Sequence, residues 1–489
     1  MRRGLRGLGI ALLALLLVFA VRAATMPSTQ VVVESIAPAP VDEAGALARL
    51  QGGLRIQTVS HEGGADRDDA AFTAFREHLR VSYPLVHEQL HVEHIADHGL
   101  LYRWVGSESD RAALVLLAHQ DVVPIDPGSE ADWTHPPFEA VVADGYLWGR
   151  GSLDDKGSLF AILEAIESLL ADGYTPRRDV YVALGHDEEL GGSEGAVAIA
   201  ARLADAGASI GLVVDEGGSV IGDLFPGVDG SIAAVGVAEK GYLSLALEVA
   251  GAGGHSSIPP STTQIGRLAA AVLKLERNPF PSRLDGASRA FFEQGIGPET
   301  PFLHRMLYAN LWFFDPLLRA VLDRVPGANA LIRTTTAPTV FHAGMKDNVL
   351  PARARAVVNF RLLPGDSSDA VIERVRAVVD DPDISIEALP KRKEPVAGSS
   401  LDGEGWQVLS RSIREVFPDS IVAPYLLVAG SDSRHFRELC DCVYQFIPFR
   451  LRPEDMKRAH GTDERIAVDG LADAVRFYRR LVANSSSAP

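Results

Sequence analysis

Short, unbroken apolar runs punctuate the first half of the chain. "AALVLLA" (112–118), "DVYVALG" (179–185) and "IGLVVD" (210–215) are brief, continuous and rich in branched residues, the pattern of strands buried on both faces. A different period lies between them. Leu159, Ile162, Leu163, Ile166, Leu169 and Leu170 recur at three- and four-residue steps in "SLFAILEAIESLLADG" and stop at Gly173, which predicts an amphipathic helix with a glycine terminator. "SEGAVAIAARLADAG" predicts a second helix before the third strand. Strand, helix, strand, helix, strand with right-handed crossovers predicts an α/β fold with a mostly parallel sheet flanked by helices.

From Glu239 the order of elements changes. "GYLSLALEVAG", "TAPTVFHAG", "RARAVVNFRLLPG" and "ISIEALP" alternate as strands, and "TTQIGRLAAAVLKLER" and "SDAVIERVRAVVDD" have helical periodicity. The order βαββαβ is that of a ferredoxin-like α+β sandwich. Between its first helix and second strand lies an extra segment, about 280–335, with the aromatic residues Phe291, Phe292, Trp312, Phe313 and Phe314; these suit a helical core, or else the wall of a cleft for a long acyl chain. Alternation resumes in "WQVLSRSIREVF", "SIVAPYLLVAG" and "DCVYQFIPF". One α/β domain, 45–238 and 396–485, is therefore expected to be interrupted by an inserted domain, 239–395.

The N-terminus has its own pattern. Three arginines precede an apolar stretch from about Leu8 to Val21, followed by the small residues of "VRAA". That is short for a spanning helix and matches a secretory signal over 1–24. The expectation is a protein exported to the periplasm or outside the cell after signal cleavage. The alternative is an uncleaved anchor with an extracytoplasmic body, and only that alternative brings in a membrane.

Composition narrows the function classes. A chain of 489 residues exceeds one core. The net charge of −17 argues against nucleic-acid binding, which uses a basic face. Cys440 and Cys442 are the two cysteines, expected as buried thiols side by side on a strand rather than a bridge.

Polar residues then collect where strands end, the rim at which open α/β sheets bind ligands. His119 and Asp121 follow the first strand in "LLAHQD", Glu188 and Glu189 follow the second in "GHDEELGG", and Asp215 follows the third in "LVVDEGG". Asp154 and Asp155 lie in the glycine-flanked turn "GRGSLDDKG", and His460 in "KRAHGTDER". Singly, each has a plain reading: a loop pair, a solvated acidic turn, a helix cap. Together they set histidines and carboxylates at one edge with few cations to balance them. Divalent metal would relieve the repulsion, and the N/O donor set suits zinc, with cobalt or manganese as substitutes.

"HQDVVP", "WGRGSLDDKG", "GHDEELGG", "VVDEGG", "GGHSSIPP", "NFRLLPGD" and "AHGTDERI" occur in the order found in the dinuclear zinc aminoacylase and carboxypeptidase family. The chain resembles the branch of that metallopeptidase family holding carboxypeptidase S and N-fatty-acyl amino acid synthase/hydrolase, over about residues 45–480. The resemblance implies two Zn²⁺ per chain, with Asp154 bridging, His119 and Asp215 completing one site, and Glu189 and His460 the other. It implies Glu188 as general base, Asp121 as the carboxylate orienting His119, and a cis peptide between Asp154 and Asp155. It makes the inserted domain a lid that can also form a homodimer. In that lid His255 would stabilise the oxyanion, often from a partner subunit, and Asn348 and Arg361 would hold the substrate carboxylate. Outside the lid, the glycine-led "GSDSRHF" with Gly430 and Ser431 could offer backbone donors to the same carboxylate.

Paired zinc ions can acidify a shared water and polarise a carbonyl, and Glu188 could move the proton. The expected reaction is hydrolysis of an amide next to a free carboxylate, on a small peptide or N-acyl amino acid, or its reversal. The rivals are a di- or tripeptidase that needs a free amino terminus and a non-catalytic ectodomain.

Overall fold

The three apolar runs form the centre of one large sheet in the computed structural model, which describes residues 2–487 apart from 35, 62–66, 109, 223–226 and 229. The strand Ala113–His119 is buried along its whole length. It pairs in parallel with Val180–Gly185 on one side and Ile210–Asp215 on the other. Val443–Gln445 continues the parallel series beyond Ile210–Asp215, and Ser420–Leu427 runs parallel to Ser231–Glu239. Antiparallel pairs flank this centre, His91–Ile95 with Gly99–Trp104 at one edge and Val220–Gly222 with Ser231–Glu239 towards the other. The result is the α/β sheet expected, mostly parallel and helix-covered. His119, Gly185 and Asp215 are each the last residue of their strand, so the three motifs begin at one edge.

The helix read as amphipathic spans Lys156–Ala171 and is buried almost all round. The difference has a local cause. The helices Glu43–Leu54, Pro84–Gln89 and Val468–Ser487 close over the side that would have faced solvent. Its two acidic residues are satisfied there: Glu164 accepts from Arg49 Nε and Nη2 at 2.5 and 2.9 Å and from Tyr83 Oη at 3.1 Å, and Glu167 accepts from the amides of Leu85 and Val86 at 3.0 and 2.8 Å. Leu159, Phe160, Ile162 and Leu163 have no exposed surface, and each such side chain contributes about 1.5–3 kcal/mol by leaving water.

The second sheet has four antiparallel strands in the order Thr335–Ala343, Arg353–Leu362, Gly241–Ala250, Ile384–Lys393, the ferredoxin-like arrangement. The helices Gln264–Arg277 and Ser368–Val379 cover one face, and Leu243, Leu268, Phe360 and Val375 are among its core. The extra segment folds as short helices, including Phe302–Tyr308 and Leu311–Leu322. Its aromatics divide. Phe291 and Phe292 are buried, whereas Trp312 and Phe313 are about half exposed. Cys440 and Cys442 are free thiols in the turn before Val443–Gln445, not on the strand itself. Cys442 N donates to Cys440 Sγ at 3.2 Å.

Candidate metal centre and active site

Asp154 is the meeting point. Its Oδ1 lies 2.9 Å from His119 Nε2, and its Oδ2 lies 3.1 Å from His460 Nε2. Glu189 Oε2 is also 3.1 Å from His460 Nε2, and Glu216 Oε1 is 3.6 Å from His119 Nε2. Two triplets result, His119–Asp154–Glu216 and Asp154–Glu189–His460, each with its donor atoms within 4.8 Å of one another. They share Asp154. Each offers one imidazole and two carboxylates, a set that suits zinc with a coordination position left over.

Asp215 is the one expected ligand that falls in neither triplet. As the last residue of a strand it points the other way from its neighbour, and its Oδ2 accepts from Ser433 N at 2.6 Å. Glu216, the next residue, reaches His119 instead. The turn that follows lets this happen because it contains no side chains: Gly217 has φ +135°, and a Cβ on Gly218 would collide with the Ala234 carbonyl oxygen.

The supports of the other ligands are equally definite. His119 Nδ1 donates to the Asp121 carbonyl at 2.9 Å, which leaves Nε2 free to face Asp154. The Asp121 carboxylate is fully buried and accepts from Ser60 Oγ at 2.7 Å and from the amides of Glu188 and Glu189 at 3.2 and 3.3 Å. It ties the first strand end to the second. Asp154 is joined to Asp155 by a cis peptide. Glu464, also fully buried, accepts from the amides of Leu153 and Asp154 at 2.8 and 3.1 Å and from Arg150 Nη1 at 2.7 Å. Arg150 Nη2 reaches the His460 carbonyl at 3.3 Å, so one ion pair clamps the loops that carry Asp154 and His460.

The acidic turn "GHDEELGG" divides its carboxylates among separate tasks. Asp187 accepts from Glu194 N and Gly195 N, both at 2.8 Å, and so braces the loop. Glu189 faces His460, with its Oε1 buried and, among the described residues, without a hydrogen-bond partner. An uncompensated buried carboxylate oxygen is costly, and a cation between the triplets would satisfy it. Glu188 is raised to about 8, chiefly by burial and then by Glu189 and Asp154 against the opposing pull of His119. His460 is raised to about 10 by its contacts with Asp154 and Glu189. Asp154 is held well below the usual carboxylate range, the two histidines outweighing burial.

A cleft of about 770 Å³ opens beside the second triplet, with Ser60, His186 and Glu189 on one wall and Tyr242, Ser244 and Lys391 of the inserted domain on the other. The Arg361 guanidinium stacks 4.9 Å over the Tyr242 ring, one residue back from the cleft. The remaining expected residues are elsewhere. His255 is exposed on a two-residue strand paired with Val349–Leu350, its Nδ1 2.7 Å from Ser257 Oγ. Asn348 is exposed next to it, its carbonyl accepting from Ser256 N at 3.2 Å. Neither lines the cleft within one chain. Ser431 is buried, with Oγ 2.8 Å from Ser433 Oγ, and Gly430 is half-buried beside Arg434 and Glu239.

Residues 115–484 match the model of peptidase family M20/M25/M40. The chain belongs to the M20 peptidases. It is 38% identical over 489 residues to "Probable carboxypeptidase S-like 2" of Dictyostelium discoideum, covering 97% of this chain and 92% of that one. It is also 38% identical over 442 residues to the human N-fatty-acyl-amino acid synthase/hydrolase PM20D1, covering 90% and 87%. Among solved structures, the M20 family metallo-carboxypeptidase Sso-CP2 from Sulfolobus solfataricus superposes with a TM-score of 0.65 at 19% identity, over 90% of this chain and 99% of that one. This M20 chain is thus an enzyme of the metallopeptidase and amidohydrolase kind, and its two candidate metal-binding triplets lie inside the matched region. In it, Glu216, Glu464, Arg150 and Asp187 were not apparent from the sequence as functional. Glu464 had a signal, four residues after His460 in "AHGTDER"; Glu216 had only its place beside Asp215.

Proposed function

We propose that this enzyme is an extracytoplasmic, zinc-dependent hydrolase of amide bonds adjacent to a free carboxylate, a carboxypeptidase or N-acyl amino acid hydrolase. The observation that carries the reading is the pair of triplets sharing Asp154, with Glu188 beside them and an open cleft in front. His119, Asp154 and Glu216 would hold one ion, and Asp154, Glu189 and His460 the other. When bound, such ions lower the pKa of a water and polarise a carbonyl.

The protein's own groups do the rest. Glu188 takes a proton from the attacking water and delivers it to the leaving amine, a transfer suited to a carboxyl whose pKa has been raised towards neutrality by burial. Asp121 keeps His119 in one tautomer and holds the Glu188 backbone in place. Arg361 and Lys391, on the inserted domain, supply positive charge for the substrate carboxylate, as the bidentate geometry of arginine favours. His255 and Asn348, exposed in the single chain, fit a role that requires a second subunit at the cleft. The names of the carboxypeptidase S-like and PM20D1 relatives support substrates with a free carboxylate. The same site permits the reverse condensation, and the apolar N-terminal helix supports export.

Metal analysis of the purified chain is expected to give two zinc ions, and a panel of N-acyl amino acids and blocked dipeptides should be cleaved. Glu188→Gln should retain the metal while kcat falls by about 10²–10⁴. An active Glu188→Gln, or substrates cleaved only with a free amino terminus, would overturn the assignment.

A further inference from the structure

The N-terminal helix is not a loose tail. Arg2–Ala24 runs onto the inserted segment. Phe19 sits among Trp312, Phe313 and Phe314 with ring centroids 6.0, 5.1 and 4.9 Å away. Asn310 Nδ2 donates to the Phe19 carbonyl at 3.2 Å, and Arg22 Nε to the Ala309 carbonyl at 2.9 Å. The chain beyond the helix stays attached. Thr29 Oγ1 donates to the Gln294 carbonyl at 2.8 Å, and Gln30 exchanges two hydrogen bonds with the Val422 backbone at 2.8 and 3.0 Å. No slack separates helix from body.

The helices that receive it, Phe302–Tyr308 and Leu311–Leu322, are apolar on two sides. Leu311, Leu318 and Leu322 face the core. On the outside, Phe313, Leu317 and Val321 make a stripe at four-residue spacing, and Phe302, Leu303 and Trp312 extend it; all are exposed, Leu303 to 79% and Trp312 to 56%. A contiguous outward apolar face of this kind marks a docking surface. The N-terminal helix identifies its occupant. Leu5–Ala24 is 20 residues long and apolar enough to cross a membrane, and a bilayer core of about 30 Å needs about 20 residues of helix. Using its full length to span places Phe19, five residues from the end, about 8 Å inside the hydrocarbon boundary at 1.5 Å per residue. Trp312, Phe313 and Phe314 touch Phe19, so they lie at that depth too. Apolar helix faces that lie in the interface sink about 5–10 Å.

The geometry points to a lipid-embedded role for this helix pair: the N-terminal helix is retained as an anchor, and Phe302–Leu322 lies beside it in the outer leaflet, holding the enzyme against the bilayer. This takes the anchored alternative for the N-terminus. Arg2, Arg3 and Arg6 at the start of the helix fit a cytoplasmic end.

The test uses the full-length chain in phosphatidylcholine/phosphatidylglycerol vesicles with and without brominated acyl chains, which quench tryptophan within the hydrocarbon. Trp104, Trp133, Trp148 and Trp406 are buried in the body, so Trp312 is the reporter. We expect intact mass to include the N-terminal helix, brominated lipid to dim wild-type emission, and Trp312→Phe to lose most of that dimming. Leu303→Glu/Leu317→Glu, at exposed sites, should weaken the quenching while leaving hydrolysis of N-acyl amino acids unchanged. A mature chain starting beyond Ala24 would overturn the inference. Equal dimming in wild type and Trp312→Phe would do the same, as would an unquenched Trp312 in vesicle-bound dimers that bury this face against a second copy.

Discussion

Asp215 and Glu216 are adjacent carboxylates with opposite surroundings. One accepts a backbone amide from Ser433 and is sealed behind the sheet edge; the other faces His119. The difference predicts different losses. Glu216→Ala should lower the metal content and abolish most turnover, because only two of that triplet's three donors, His119 and Asp154, remain. Asp215→Asn keeps the acceptor oxygen for Ser433 and should retain both ions. Elemental analysis of the two purified variants separates them, and equal metal loss would return Asp215 to the ligand set. Along the sequence these residues could not be told apart, since both fall within one residue of a strand end. Only the direction of a side chain, set by the pleat and by the glycines that follow, distinguishes them.

Strand-end turns carry this site, and their small residues act through backbone clearance. Gly218 in "DEGG" lies against the Ala234 carbonyl, so Gly218→Ala must displace the turn and with it Glu216. Expression as a soluble but metal-depleted protein, with unfolding shifted to lower temperature, is the expected result. The central helix offers a purely structural comparison. Phe160 is fully buried against Phe75 and Tyr83, and Phe160→Ala should cost about 3–5 kcal/mol, read by denaturant unfolding. The residual folded enzyme should keep its pH profile, because no ligand is anchored through that ring. Periodicity revealed this helix but misjudged its outer side. Whether a half-polar face meets water or other helices depends on segments remote in sequence, here Glu43–Leu54 and Val468–Ser487.

At the scale of the molecule, three bodies meet at Lys240. It follows the strand Ser231–Glu239 of the large sheet and precedes Gly241–Ala250 of the small one. Its Nζ donates to the carbonyls of Ala330 and Arg333 at 2.8 and 2.7 Å, holding the helical insert as well. Burial lowers this ammonium to about 7. The unfolded chain therefore binds the proton more tightly than the folded one between pH 7 and about 10.5, and stability rises with pH wherever the unfolded state holds more protons. Wild type should gain stability relative to Lys240→Met as pH rises from 7 towards 10, with the difference smallest below 7. Parallel denaturation curves at pH 6.5, 8 and 9.5 test the sign; a constant difference would place no titration at this junction.

The sequence by itself determined what depends on local pattern: the strands, the helices, the order βαββαβ of the inserted domain, and which strand ends carry histidine and carboxylate. Motif order was enough for the family and for His119, Asp154, Glu188, Glu189 and His460 as a candidate set. The tertiary structure decided what depends on long-range approach. It brought Asp154 between His119 and His460, more than 300 residues apart in the chain, through a buried clamp of Arg150 and Glu464. It set Glu216 rather than Asp215 beside His119, left His255 and Asn348 exposed in the single chain, and packed Phe19 against aromatics that no periodicity links to it. Periodicity reports which face of an element is apolar, but only packing decides what that face meets.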